Sequence, residues 1–143
     1  MDNFKLAEEK GRRKFKQDLD RHNATYEFTE DKYDNIDCFV TGNNKTFAVE
    51  IKNRDILMDT YDTYILELTK YKALMDAYEN SGYTPTYVNY FQDGRMVWVL
   101  NELNITPDRI STKWCTATTA ENYGHRRQKQ VIMLSPTETY GHN

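Results

Sequence analysis

Three carboxylates and one ammonium group in this chain are spaced so that folding can bring them together. Glu50 and Lys52 sit in Thr46-Phe47-Ala48-Val49-Glu50-Ile51-Lys52, an otherwise apolar run that alternates like a strand. Glu-x-Lys occurs three times in the chain. Glu8-Glu9-Lys10 falls in a helical pattern and Glu30-Asp31-Lys32 in a polar turn, so only the third sets two charges among apolar residues. Strand alternation turns Phe47, Val49 and Ile51 to one side, and Ala48, Glu50 and Lys52 to the other. On the preceding strand Asp37 shares a face with Phe39, opposite Ile36, Cys38 and Val40, and a suitable hairpin register brings Asp37 beside Glu50 or Lys52. The plain alternative is a carboxylate bridged to a lysine at a half-exposed sheet edge, worth about 0–1 kcal/mol. Glu8, the lone acid on the apolar stripe of the first helix, and Asp34, just upstream of Asp37, favour converging carboxylates instead.

Converging carboxylates repel and must take up protons unless a cation neutralises them, so a divalent ion stabilises such a cluster most easily. Ligands that are all oxygen select Mg²⁺, with Mn²⁺ as a substitute, over zinc. The two cysteines, Cys38 and Cys115, have no Cys or His near them at zinc-finger spacing, and His22, His125 and His142 show no metal-ligand spacing. The sequence also has no Gly-rich phosphate cradle and no nucleophile elbow.

The acids and the lysine need a sheet to hold them. Phe4, Gly11, Phe15 and Leu19 recur at helical spacing, with Lys10, Arg13, Lys14 and Lys16 opposite, and this helix should end near Asp20 to Asn23. A strand is expected at Thr25 to Thr29, then a hairpin over residues 36–52 that turns at Gly42-Asn43-Asn44. Residues 63–80 carry Tyr64, Leu68, Tyr71, Met75 and Tyr78 at helical spacing, widened by Leu74 and Ala77, and stop at Asn80-Ser81-Gly82. Pro85 to Phe91 and Met96 to Leu100 then flank Gln92-Asp93-Gly94-Arg95 as a second hairpin. Further strands are expected at Thr112 to Thr119 and Gln130 to Leu134, with residues 122–129 as a loop or hairpin connection exposing a basic cluster. Trp98 and Trp114 are expected to be packed rather than to offer stacking platforms.

Composition narrows the class. A chain of 143 residues fits one domain with one core, and 38% hydrophobic and 29% charged residues suit neither a membrane span nor a low-complexity linker. No apolar run nears the ~20 residues that cross a bilayer, the first residues lack a signal-peptide core, and the cysteine usage suits a reducing compartment, so a cytoplasmic protein with no membrane partner is expected. The net charge of −3 argues mildly against nucleic acid. Its distribution says more: Lys and Arg against Asp and Glu number 7 to 5 over residues 1–22, 7 to 14 over 23–104, and 5 to 3 over 105–143. Basic ends around an acidic centre suit a cation-dependent site facing a polyanion, and solvated helix faces give the same pattern.

A helix with Glu8, a strand, the Asp37 strand, the Glu50-Ile51-Lys52 strand and a helix with Lys70 follow in an order that resembles the PD-(D/E)XK nuclease superfamily, the restriction-endonuclease-like fold, over about residues 4–100. The resemblance implies an α/β (α+β) fold, a central mixed β-sheet flanked by helices with an αβββαβ core, in a single nuclease-like domain over residues 1–143. It implies that Asp37 and Glu50 bind the metal, that Glu8 joins them, and that Lys52 orients or activates water and stabilises charge on phosphorus. The motif's proline is missing from Tyr33-Asp34-Asn35-Ile36-Asp37, which leaves Asp34 and Asp37 competing for one role, with Asp37 favoured. Residues 64–71 resemble the helix after the catalytic strand, making Lys70 and then Glu67 auxiliary candidates, against the alternative of a solvated helix surface.

The implied reaction is Mg²⁺-dependent in-line hydrolysis of a phosphodiester, which needs positioning and charge neutralisation more than covalent chemistry. The implied partner is nucleic acid, with DNA expected, and a homodimer is compatible because many nucleases of this fold pair. Arg54, Arg126, Arg127 and Lys129 are candidates to hold phosphates, with plain solubility as the alternative. A second reading keeps the fold without catalysis, as a module that binds nucleic acid or protein.

Overall fold

The structure is a computed structural model that describes residues 3–30, 35–116 and 126–140. Asp34, His125, His142 and the 122–125 part of the expected basic loop lie outside the described residues. Two α-helices and eight strands are described, in the order α1 (Asn3–Arg21), β1 (Thr25–Phe28), β2 (Cys38–Gly42), β3 (Lys45–Asn53), β4 (Tyr64–Glu67), α2 (Leu68–Ser81), β5 (Thr84–Phe91), β6 (Gly94–Val99), β7 (Ile110–Thr116) and β8 (Arg126–Leu134). The fold is mixed α+β. A five-stranded sheet runs β1-β2-β3-β5-β6, and a three-stranded sheet runs β4-β8-β7. Only β3 and β5 pair in parallel, and every other described pair is antiparallel.

Local chemistry explains the joints. Gly42 pairs with Lys45, leaving Asn43 and Asn44 as the central turn residues, with φ of 52° and 62°. Two successive positive φ values make a tight primed turn whose twist matches the flanking strands, and Asn tolerates that conformation. Helix α2 ends on Gly82 at φ 70°, whose N–H donates to Tyr78 O at 2.9 Å while Tyr83 N–H reaches back to Ala77 O at 3.3 Å, a left-handed glycine cap.

The two faces of the five-stranded sheet bury different cores. On one, Phe15 of α1 packs with Cys38, Val40, Val49, Ile51, Val88 and Tyr90. Gly11 permits this approach, since a Cβ there would lie 3.2 Å from Ile51 Cγ2 and 3.4 Å from Asn53 Cβ. On the other face Ala48, Tyr87, Phe91 and Trp98 meet Leu74 of α2 and Tyr64, Leu66, Ile132 and Leu134 of the second sheet. The alternation expected for β3 therefore holds: Ala48 and Val49 fall in different cores, and Glu50 follows Ala48 toward the α2 side.

Three expectations need correction. Residues 64–67 are strand rather than the first turn of a helix, because Tyr64 and Leu66 are buried in register with Leu134 and Ile132 of β8. The helix begins at Leu68, its fully buried residue is Leu74, and Tyr78 is exposed. Residues 126–129, expected in a loop or hairpin connection, belong to β8 itself. Trp98 is packed as expected, with its indole N–H donating to Ser135 O at 2.9 Å, whereas Trp114 is 58% exposed. No helix among the described residues is long and apolar enough to cross a membrane.

Candidate active site

Strand β2 starts one residue after Asp37, and this residue finishes the ladder with its side chain. Its N–H donates to Val49 O at 3.0 Å, and its carboxylate Oδ2 accepts the Ile51 N–H at 2.9 Å. Asp37 is thereby fixed against β3 at the level of Glu50, as the hairpin register required. Glu50 itself is buried at 3% exposure in the middle of β3, between the Asp37 end of β2 and Tyr87 of β5. A carboxylate in that position is costly. Burial pushes the pKa of Glu50 well above the carboxylate range, and the negative charge of Asp37 pushes the same way against the opposing pull of Lys70.

Each acid has a cation of its own. Lys70, in the first turn of α2, places Nζ 2.5 Å from Glu50 Oε2. Burial opposes the ammonium charge of Lys70, but the Glu50 carboxylate overcomes it and holds the pKa above the usual lysine value. Arg12 of α1 donates from Nη2 to Asp37 Oδ1 at 3.3 Å and from Nη1 to Thr29 O at 3.4 Å, and its guanidinium lies over the Phe28 ring. Glu50 Oε1 has no hydrogen-bond partner. A buried carboxylate oxygen without a donor is the one acceptor here that the protein leaves unsatisfied.

Lys52, two residues along β3, is exposed by surface area, yet the protein crowded around it withdraws hydration. That loss, together with the charges of Arg54 and Lys70, lowers its pKa below the usual lysine value. Glu8 is exposed on the first part of α1. Partial desolvation and the charge of Asp37 raise its pKa, and the cations Lys70, Arg12 and Lys52 act on it in the opposite sense. Glu8, Asp37, Glu50, Lys52 and Lys70 thus share one electrostatic neighbourhood.

Other candidates have internal partners. Arg54 donates to Asn89 Oδ1, to Ile65 O at 2.9 Å and to Tyr87 OH at 3.1 Å, and lies over the Tyr64 ring. Through these bonds it ties β3, β4 and β5 together. Glu67 and Lys129 pair across the second sheet at 3.0 Å. Arg127 is exposed on β8. Arg126 is placed in β8 by its backbone, and its side chain lies outside the described residues.

Sequence reasoning missed three contributors: Arg12, Tyr87 and Asn89. Arg12 stands four residues after Glu8, so the two share a helix face, a spacing visible in the sequence. Tyr87 and Asn89 pair in register with Glu50 and Lys52 on β5, and Asn89 is a fully buried polar residue in an apolar strand. Its Nδ2, like Glu50 Oε1, lacks a partner.

Glu50 and Asp37 are the donors available to a hard divalent cation. No group of three or more His, Cys, Asp or Glu among the described residues is arranged to hold a metal. Mg²⁺ commonly takes only one or two carboxylates and fills its octahedron with water and phosphate oxygens. Two carboxylates with one orphaned oxygen fit that ion. Comparison of the sequence with models of known protein families and with curated proteins finds no match.

Proposed function

We propose that this protein is a Mg²⁺-dependent nuclease hydrolysing phosphodiester bonds of nucleic acid, with DNA as the first substrate class. The observation that carries the reading is Glu50: a carboxylate 3% exposed, beside a second carboxylate, with one oxygen that the protein leaves unpaired. The strand order supports it, since the acids lie on antiparallel β2 and β3 and the chain crosses through β4 and α2 to pair β5 parallel to β3. That is the arrangement expected for a nuclease of the PD-(D/E)XK type.

The residues divide the work. Glu50 and Asp37 would hold Mg²⁺, or Mn²⁺ in its place, and the ion when bound supplies Lewis acidity and charge neutralisation at phosphorus. Asp37 is held rigid by the Ile51 N–H, and Arg12 fixes its other oxygen. Lys52 projects from the same face of β3 as Glu50. Its Nζ, with a depressed pKa, is suited to orient the attacking water and to donate hydrogen bonds to a phosphate oxygen as negative charge grows there. Glu8 adds negative potential at the rim.

Calorimetric titration with Mg²⁺ and Mn²⁺ tests the ligand assignment, and cleavage of a panel of DNA substrates tests the activity. Saturable binding should be lost in Asp37→Asn and Glu50→Gln, and Lys52→Ala should keep ion binding while losing about 10²–10³-fold in rate. Ion binding unchanged by both carboxylate substitutions, or wild-type cleavage by Lys52→Ala, rejects the assignment.

The pairing of Glu50 with Lys70 and of Asp37 with Arg12 favours a second reading, a binding module that keeps the fold and neutralises its acids internally. Salt-dependent DNA binding with no cleavage in either metal is the result that selects it.

A further inference from the structure

Strand pairing sets three side chains in a row across the α1 side of the five-stranded sheet. Asn53 of β3 is in register with Tyr90 of β5, and Tyr90 with Arg95 of β6, so the three share a face, the one opposite Glu50 and Lys52. Helix α1 lays a second row above them. Lys14, Asp18 and Arg21 recur at intervals of four and three, on one helix face. Lys14 Nζ donates to Asn53 Oδ1 at 2.9 Å, and Asp18 Oδ2 accepts from Tyr90 OH at 2.7 Å and from Arg95 Nη1 at 2.6 Å. Where the two rows meet the β5–β6 turn they border a cleft of about 460 Å³, lined by Lys14, Gln17, Asp18, Arg21, Tyr90 and Arg95 with the turn itself.

The charge in this cleft is one-sided. Asp18 is the one carboxylate among its described lining residues, and Arg95 pairs with it. Asp93, in the turn, is directed elsewhere, its carboxylate accepting the Met58 N–H at 2.9 Å. Lys14 meets a neutral amide and the face of the Tyr90 ring, and Arg21 forms no hydrogen bond or ion pair with a described residue. Three cations against one carboxylate leave a surplus of two positive charges, in a chain whose net charge is −3. Behind Lys14, Asn53 is 7% exposed and its buried Nδ2 has no acceptor. The cleft is therefore short of negative atoms, not of donors. A dianion neutralises the surplus, and a phosphomonoester carries about −1.5 to −2 at pH 7. Arginine forks match its oxygens in pairs. The volume falls in the range of about 300–1,000 Å³ that takes a whole small molecule.

We infer that the cleft between α1 and the β5–β6 hairpin binds a small organic phosphate, with the phosphomonoester group on Lys14, Arg21 and Arg95 and the organic body along the rest of the cleft. The site is separate from Glu50 and Lys52, which strand alternation puts on the other face of the sheet, and the inference stands independently of the nuclease reading.

The experiment follows amide NMR shifts of isotope-labelled protein, without Mg²⁺, for wild type and Arg21→Gln. The probes are glycerol phosphate, adenosine monophosphate, inorganic phosphate and succinate, each taken to about 10 mM. Arg21 has no described partner to lose, so the variant keeps the fold. At least one of the two organic phosphates should saturate, move the amides of Gln17 to His22 and of Gln92 to Arg95, and bind about tenfold or more weakly in Arg21→Gln. Either one as the tighter ligand supports the site. Inorganic phosphate or succinate binding as tightly as both overturns the phosphomonoester assignment. Shifts centred on Glu50 and Lys52, or an affinity unchanged in Arg21→Gln, overturn the cleft as the site. Saturation by neither organic phosphate overturns the inference.

Discussion

Lys70→Met removes the ammonium group that lies 2.5 Å from Glu50 Oε2 and keeps most of the side-chain volume. Glu50 is then a carboxylate at 3% exposure with no counter-charge on that oxygen and no donor on the other. An uncompensated buried charge costs about 3–5 kcal/mol, but a carboxyl group can escape by taking up a proton. Protonation of a group whose ordinary value is 4.5 costs, at pH 7, two and a half pH units. At about 1.4 kcal/mol per unit this limits the loss to about 3.5 kcal/mol, or about 10 °C in melting temperature for a chain of this size.

The sign of the pH dependence follows from the direction of the shift. Glu50 has a folded pKa raised above its unfolded value, so its protonated form favours folding, fully below 4.5, and that contribution is lost as pH rises through the folded pKa. The deficit of Lys70→Met relative to wild type should therefore shrink as pH falls from 7 toward 4.5, and Glu50→Gln combined with Lys70→Met should recover most of it at pH 7. Urea denaturation of the four proteins of this cycle measures each quantity. A Lys70→Met deficit that is independent of pH and untouched by Glu50→Gln would refute the reasoning and assign the loss to packing of the lysine stem.

Two further substitutions probe the frame around the site. Gly11→Leu should destabilise the protein by about 1–3 kcal/mol in denaturant titration, because its Cβ begins 3.2 Å from Ile51 Cγ2 and drives α1 off the sheet. Gly11→Ala should be nearly neutral, since the gain in helix propensity of about 1 kcal/mol offsets a contact that yields by a few tenths of an ångström. At Glu138 burial alone would raise the pKa, and hydrogen bonds from Arg109 and the Ser135 N–H, with the Arg109 charge, outweigh it and lower the value below 4.5. The stability this carboxylate contributes is present above 4.5 and lost as pH falls through its folded pKa, so Arg109→Met should flatten the acid limb of the stability curve measured by thermal melting.

What the sequence disclosed and what it hid have separate physical causes. Glu50 and Lys52 were legible because charges in an apolar alternating run violate the local pattern, and the Asn43-Asn44 turn fixed the register that brings Asp37 to them. Strand β4 was not legible. Tyr64 to Glu67 run straight into a helix, and what makes them extended is pairing with β8 more than sixty residues downstream, which no local periodicity carries. The same cause hid the fate of Arg54, which at the end of a strand reads as a free cation until β4 supplies the Ile65 carbonyl and the Tyr64 ring that absorb it. The expectation that Trp114 packs failed for the converse reason: β7 is a proper strand, but among the described residues β8 pairs with no third strand before Val131, and Trp114 is 58% exposed.

The internal cations set conditions on any ion that enters the site. A divalent charge about 5 Å from the Lys70 ammonium is repelled by about 7 kcal/mol at an effective dielectric of 20, a cost that the attraction of the nearer Glu50 and Asp37 carboxylates must offset. On the nuclease reading the ion takes the orphaned Oε1 against this repulsion, and an arriving phosphate gives the ammonium a second anion to pair with. On the same reading, Lys70 weakens ion binding in the free protein and substrate strengthens it. The same logic reverses the phenotype of Lys70→Met. With the competitor gone, Mg²⁺ at about a hundred times its dissociation constant returns about 2.7 kcal/mol of stability, most of the deficit expected at pH 7. A variant that melts early without Mg²⁺ and near the wild-type temperature with it would identify Glu50 as an ion ligand by stability alone, whether or not a nucleic-acid substrate is at hand.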